Sequence, residues 1–300
     1  MNSALAGLVA IWLVWGFNWS LWRLALHDTG PLEFIALRTV CATGLLLISM
    51  LLLRRDLRPR PFLPLLIIGL SQGVGMNALS VLAVADSGAT KATIFAYTMP
   101  FWTVLFARLL LQEEIRARQW IAIALGAIGL GVMVAGHSSR LSEIGALLAT
   151  LGGVSWAIGT VTWKWTIQRY KVDPFVMITW QNIFAVLPLG LAALFAHEMP
   201  MRWTGLMTFV FVFNVLITAI VAWVLWFWIV QKLPAVTAGM SSLAIPVVAI
   251  ASAYLFVGER PTETQWFGIL GILLALLVVN LPSSQGSTNI SRSAAVRPDP

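Results

Sequence analysis

Ten stretches of this chain are each about as long and as apolar as a bilayer is thick, and nothing constrains its fold more. They run over residues 3–26, 31–53, 62–83, 88–110, 117–137, 142–167, 174–197, 204–230, 235–257 and 263–281. A helix needs about 20 predominantly apolar residues to cross the hydrocarbon core, where each backbone polar group must be satisfied within its own segment. Only 10% of the residues are charged, against roughly a quarter in soluble domains. The expectation is an all-α polytopic membrane protein of ten transmembrane helices. The connections are short, which leaves no room for a separate soluble domain. The first run holds four tryptophans and leads to no clear small-residue cleavage site, so it reads as a span and not as a signal peptide.

The chain writes its plan twice. Pro100 is followed by Glu113 and then by Gln119 and Trp120; Pro246, 146 residues later, is followed at the same offsets by Glu259, Gln265 and Trp266. Helix starts match too: Pro31 and Pro174 each open a span, with Arg38 and Gln181 seven residues on. Five spans per copy is an odd number, so the second copy must insert upside down. Residues 1–140 form the first five-helix repeat and 141–281 the second, inverted one; 282–300, rich in Ser with Pro and Arg, reads as a disordered cytoplasmic tail. Inverted repeats are typical of transporters, with the substrate near the midplane where the halves meet.

Charge sets the orientation. With the N-terminus inside, Arg54, Arg55, Arg58, Arg60, Arg108, Arg116, Arg118, Lys164, Arg169, Lys171, Lys232, Arg292 and Arg297 fall on the cytoplasmic side. Only Arg23, Lys91, Arg140, Arg202 and Arg260 fall outside, which puts both termini in the cytoplasm. The net charge of +7 is thereby explained without nucleic acid as a partner. The one cysteine, Cys41, can form no internal disulfide.

Three groups of residues are candidates for function. Pro100 and Pro246 fall near the middle of their spans, each removing an N–H and freeing the carbonyl four residues back, at Ala96 and Ser242. They read as paired kinks or hinges beside a central cavity, or as static bends. Trp12, Trp15, Trp19 and Trp22 share a face of the first span, Trp156 and Trp163 a face of the sixth, and Trp223 and Trp226 a face of the eighth. An aromatic cavity wall, with Trp102 added, would suit planar or cationic solutes; helix packing is the alternative. Arg38 lies seven residues inside its span, placed either to anchor a substrate carboxylate or to snorkel to the interface. Asn18, Asn77, Tyr97, Asn214 and Ser242 are neutral polar groups at span depth that serve either a solute or another helix. Every Asp, Glu and His lies near a span end, in a loop or in the tail. Proton coupling through an intramembrane acid is therefore disfavoured. No phosphate-binding glycine loop, acidic metal motif or Ser/His/Asp set is present, so neither metal nor cofactor is expected.

The Trp15-Gly16-Phe17-Asn18 segment, Pro100 leading to Gln112-Glu113-Glu114, and Pro246 leading to Gly258-Glu259-Arg260 resemble the EamA family of the drug/metabolite transporter superfamily over residues 3–281. The aromatic-rich spans most resemble the YddG-type exporters of aromatic amino acids and planar compounds such as methyl viologen. The resemblance implies a basket in which spans 1, 3, 4, 6, 8 and 9 surround a central cavity. It also implies alternating access, with export across a bacterial inner membrane. The small multidrug relatives carry an essential glutamate in the first span; this chain has Trp15 and Asn18 there and no acid. The expected protein is thus a non-enzymatic exporter of small organic solutes, namely amino acids (aromatic and other neutral) and planar xenobiotics, working as a monomer in the bilayer. Carriers of sugars, nucleosides or organic cations, a membrane enzyme and a receptor are the alternatives.

Overall fold

The computed structural model describes residues 2–56, 58–135 and 142–280. The tail at 282–300 and the junction between the halves lie outside the described residues. The described chain is helical: α1 Asn2–Ala25, α2 Pro31–Leu52, α3 Phe62–Ser87, α4 Ala89–Leu111, α5 Ala117–Ala135, α6 Glu143–Arg169, α7 Pro174–Ala196, α8 Gly205–Lys232, α9 Ala235–Val257 and α10 Glu263–Asn280. Among the described residues, α1 to α9 are long and apolar enough to cross a membrane. The apolar part of α10, Glu263–Val278, is shorter. Helix starts carry the chemistry that backbone donors require there. Asp173 accepts from Phe175 N at 2.7 Å, Thr204 from Met207 N at 3.1 Å and Ser142 from Gly145 N at 3.3 Å.

The two halves pack as reciprocal partners. Helix α2 lies along α7 and α5 along α10; α1 packs on α9 as α4 packs on α6, and α3 on α6 as α8 on α1. Wide π-helical turns recur at equivalent places: Gly69–Met76 in α3 and Asn214–Val221 in α8, Ala107–Leu111 in α4 and Ala253–Val257 in α9. The α5–α10 seam is built on glycine. A Cβ on Gly129 would sit 2.8 Å from the Gly268 carbonyl oxygen, so the two backbones touch. Close backbone approach replaces the hydrophobic drive that lipid does not supply.

The face that carries the N-terminus is here the near face. On it, Arg55 pairs with Asp173 at 2.9 Å; on the far face Arg202 pairs with Asp28 at 3.1 Å. Each bridge ties a loop of one half to a loop of the other. On the far face, Glu198 also accepts from Leu32 N and Glu33 N at 2.8 and 2.9 Å, closing the start of α2.

A second set of links is crossed. Helices α4 and α9 end alike, with Gln112 and Gly258 in the left-handed region (φ 55° and 77°). The next N–H then returns to the carbonyl six residues back, Glu113 to Ala107 and Glu259 to Ala253. The carboxylates of these two glutamates reach across the bundle. Glu113 accepts from Ala235 N and Val236 N at 3.1 and 3.2 Å, at the start of α9. Glu259 accepts from Ala89 N and Thr90 N at 3.2 and 3.0 Å, at the start of α4. Two ionic hydrogen bonds and the positive end of a helix dipole stabilise each contact. Glu113→Gln and Glu259→Gln each lose the charge and one of the two bonds, a loss of about 1–2 kcal/mol. Both are expected to lower the thermal midpoint in detergent by similar amounts, while Glu114→Gln, at an exposed position, leaves it unchanged. Equal behaviour of all three would refute the assignment.

A tryptophan-lined central cavity

Both mid-span prolines interrupt their helices. Helix α4 tightens into a turn at Tyr97–Thr98, with Thr98 N donating to Phe95 O (3.2 Å) and Phe101 N to Thr98 O (3.0 Å). Helix α9 does the same at Ser242–Leu243, where Ile245 N donates to Ser242 O at 2.9 Å. The Ser242 carbonyl is therefore not left free as the position of Pro246 suggests; a three-residue turn takes it up. The Ala96 carbonyl is met by α6, whose Gly153 allows the approach: a Cβ there would lie 2.5 Å from that oxygen. The breaks turn Tyr97 and Met99 toward the centre of the bundle.

There, between α1, α2, α3, α4, α6 and α8, lies a cavity of about 40 Å³. It has room for a few water molecules and none for an amino acid. Helix α1 supplies Trp15, Asn18, Trp19 and Trp22 from one face, α6 supplies Trp156 and α8 supplies Thr218 and Trp223. Arg38, Met76, Asn77, Tyr97 and Met99 complete the wall. No Asp, Glu or His is among the lining residues.

One side of the cavity is polar. Arg38 is only 3% exposed, and its Nη2 donates to Asn77 Oδ1 at 2.7 Å. Asn77 is held in turn by its Nδ2, which donates to the carbonyls of Gln72 and Gly73 at 2.8 and 3.0 Å. Those carbonyls lie in the wide turn Gly69–Met76, so the helix irregularity orients the arginine through the asparagine. Among the described residues Arg38 forms no ion pair, and its Nε has no acceptor. The Trp156 indole N–H likewise has none. Each buried donor left without a partner costs about 1–3 kcal/mol, so the cavity wall favours a ligand that accepts hydrogen bonds.

The near-face side is closed by rings. The Trp15 centroid lies 5.0 Å from Trp156, 5.4 Å from Trp223 and 5.6 Å from Trp226; Trp156 lies 5.1 Å from Trp223 and 5.2 Å from Trp226. Below this quartet Trp163 packs on Phe227 at 4.9 Å. Toward the far face, Trp19 stands 5.5 Å from Trp22 and 6.1 Å from Tyr97.

The expected site residues divide by position. Trp15, Asn18, Trp19, Arg38, Asn77, Tyr97, Trp156 and Trp223 come together around the cavity. Trp226 is one layer behind, against Trp15 and Trp156. Four others do not line it. Trp163 is fully buried, its indole donating to Phe227 O at 3.4 Å. Asn214 accepts from the Trp22 indole at 3.0 Å and donates to Val210 O. The Ser242 hydroxyl donates to Gly239 O at 2.6 Å, and Trp102 lies beside Phe106. Trp22 lines the cavity with the rest of the α1 stripe, and Met76, Met99 and Thr218 line it although sequence reasoning does not single them out. Trp22 belongs to the α1 stripe and is within reach of spacing arguments; the two methionines and the threonine carry no distinguishing signal.

Comparison with known proteins fits this architecture. The model of the EamA-like transporter family matches the chain twice, over residues 2–135 and 143–281. The Bacillus subtilis transporter YvbV is 30% identical, the alignment covering 90% of this chain and 89% of that one. The Escherichia coli inner membrane transporter YedA is 27% identical (91% and 89% covered). A probable amino-acid metabolite efflux pump of Escherichia coli is 25% identical (92% and 94%). A solved crystal structure superposes with a TM-score of 0.70 over 99% of this chain and 100% of the other, at 18% identity, and so shares its fold.

Proposed function

Since the chain belongs to the EamA-like transporter family, and is thus a multi-pass membrane transporter of small solutes, we propose that it exports small carboxylate-bearing solutes through the central cavity. Neutral and aromatic amino acids are the leading class, with planar xenobiotics as secondary cargo. The observation that carries this reading is Arg38. It is a buried guanidinium with no acid paired to it among the described residues, oriented by Asn77 and facing a wall of tryptophan. A carboxylate supplies the missing charge, and once the rings part to widen the cavity an aromatic or apolar side chain stacks on them. The relative named as a probable amino-acid metabolite efflux pump supports the same class.

The mechanism we infer is alternating access in a bacterial inner membrane, with the near face in the cytoplasm as the excess of basic residues favours. A solute entering from the near face must part the Trp15–Trp156–Trp223–Trp226 quartet, and the bends at Pro100 and Pro246 provide the compliance. One polypeptide holds the whole route, so a monomer suffices. With no Asp, Glu or His lining the cavity, movement follows the solute gradient.

The test is a flux panel on purified protein in liposomes: phenylalanine, tryptophan, threonine, methionine and methyl viologen, each with and without an imposed pH gradient. Protein-dependent flux of the amino acids, unchanged by the pH gradient, is expected. Flux of cations alone, or flux that tracks the pH gradient, overturns the reading.

A further inference from the structure

Away from the central cavity, the outer surface of α4 and α5 holds a groove beside the near face. Two hollows of about 330 and 290 Å³ share Arg108, Ile115 and Trp120. The second continues between the helices along Phe101, Val104, Leu105 and Ile123 and is almost wholly apolar. Leu105 and Trp120, on its rims, are 45% and 56% exposed, on the side of the bundle that faces lipid.

Arg108 stands at the mouth. It lies four residues before Gln112, where α4 ends, so about 6 Å along the axis from the helix end, among the exposed Leu105, Leu109 and Leu110. A charged side chain at that depth on a lipid-facing helix is costly unless its head reaches the interface and finds a counter-charge. Among the described residues it has no ion pair. Glu114 lines the same hollow, and no ion pair joins the two. The wide turn Ala107–Leu111 carries Arg108, and Trp120 beside it is a residue suited to the headgroup level. At the equivalent place in the other half stands Tyr254, with Trp266 matching Trp120. The duplication therefore keeps the aromatic anchor on both faces and the cation on one.

We propose that this groove is a binding site for an anionic phospholipid of the near leaflet, its phosphate on Arg108 and one acyl chain along Phe101, Val104, Leu105 and Ile123. The cation without a partner selects the headgroup, and the apolar channel beneath it distinguishes a lipid from a free anion. This assignment requires only that the protein sit in a bilayer and is independent of what it transports.

Native mass spectrometry of the detergent-solubilised full chain tests it, with dioleoyl phosphatidylglycerol and dioleoyl phosphatidylcholine as probes. The wild type is expected to retain one phosphatidylglycerol at concentrations where phosphatidylcholine is lost. Arg108→Gln should weaken that retention about fivefold. Leu105→Trp, which fills the channel and leaves the charge in place, should weaken it as well. Arg60→Gln, at an exposed arginine on the same face, should have no effect. Equal retention of the two lipids, or an unchanged Arg108→Gln, overturns the proposal. So does an equal loss in Arg60→Gln, which would reduce the effect to general surface charge. Displacement by millimolar inorganic phosphate would show a simple anion site instead.

Discussion

Arg38→Gln lowers the flux of phenylalanine and other amino acids at least thirtyfold while leaving the flux of methyl viologen within a factor of two. Losing one partner of a desolvated guanidinium–carboxylate contact costs about 2 kcal/mol or more, and every 1.4 kcal/mol is about a factor of ten. The same substitution is expected to raise the thermal midpoint of the solute-free protein. A buried charge with no ionic partner opposes folding, and glutamine removes that charge at the cost of the bond from Arg38 Nη2 to Asn77 Oδ1. Loss of function joined to gain of stability separates a binding role from a structural one. If thermal stability falls along with the flux of amino acids and methyl viologen alike, Arg38 is a packing element and the carboxylate reading fails.

Gly129→Leu should have the largest effect on folding. Its Cβ would meet the Gly268 carbonyl oxygen at 2.8 Å and the Ile272 nitrogen at 3.1 Å, and both obstacles are backbone. No rotamer change relieves that clash, so α5 and α10 must separate along their length. Overpacking of this kind costs roughly 3 kcal/mol or more. The short α10 depends on that seam, and the substitution is expected to abolish the monodisperse peak in size-exclusion chromatography. Gly131→Leu is the internal control: two residues away, its added Cβ would meet nothing within 4 Å. Equal yields of the two variants would disprove the account of the seam.

Much of the fold is readable along the chain because bilayer thickness and proline chemistry act locally. The apolar runs, the helix starts at Pro31 and Pro174, the paired prolines and the Arg38 depth all derive from position in sequence. The side of a helix on which a residue emerges is less readable. Each wide turn rotates the next stretch of helix by roughly 100° relative to a regular helix, and two such turns, Gly69–Met76 and Asn214–Val221, lie at mid-span. Within the second, Thr218 lines the cavity while Asn214, one turn earlier, bonds to Trp22. Residue type offers no help in telling them apart. The same limit applies to Trp156 and Trp163, which share a face of α6. One reaches the cavity, and the other is stopped by Phe227 from the neighbouring helix. Glu113 and Glu259 are legible as a pair, but their partners across the bundle are not, since the crossing depends on how the halves meet.

Those crossed carboxylates also impose an order on assembly. A chain made from its N-terminus inserts α4 long before Glu259 exists, so the amide groups of Ala89 and Thr90 wait for a partner that appears only when α9 is complete. Glu113, made early, waits for the start of α9. Neither half can reach its final state while the other is missing, and a nascent chain halted after α8 carries both kinds of open end at once. Both closures fall within a short interval of synthesis around α9, and only the docking of α10 on α5 remains after them.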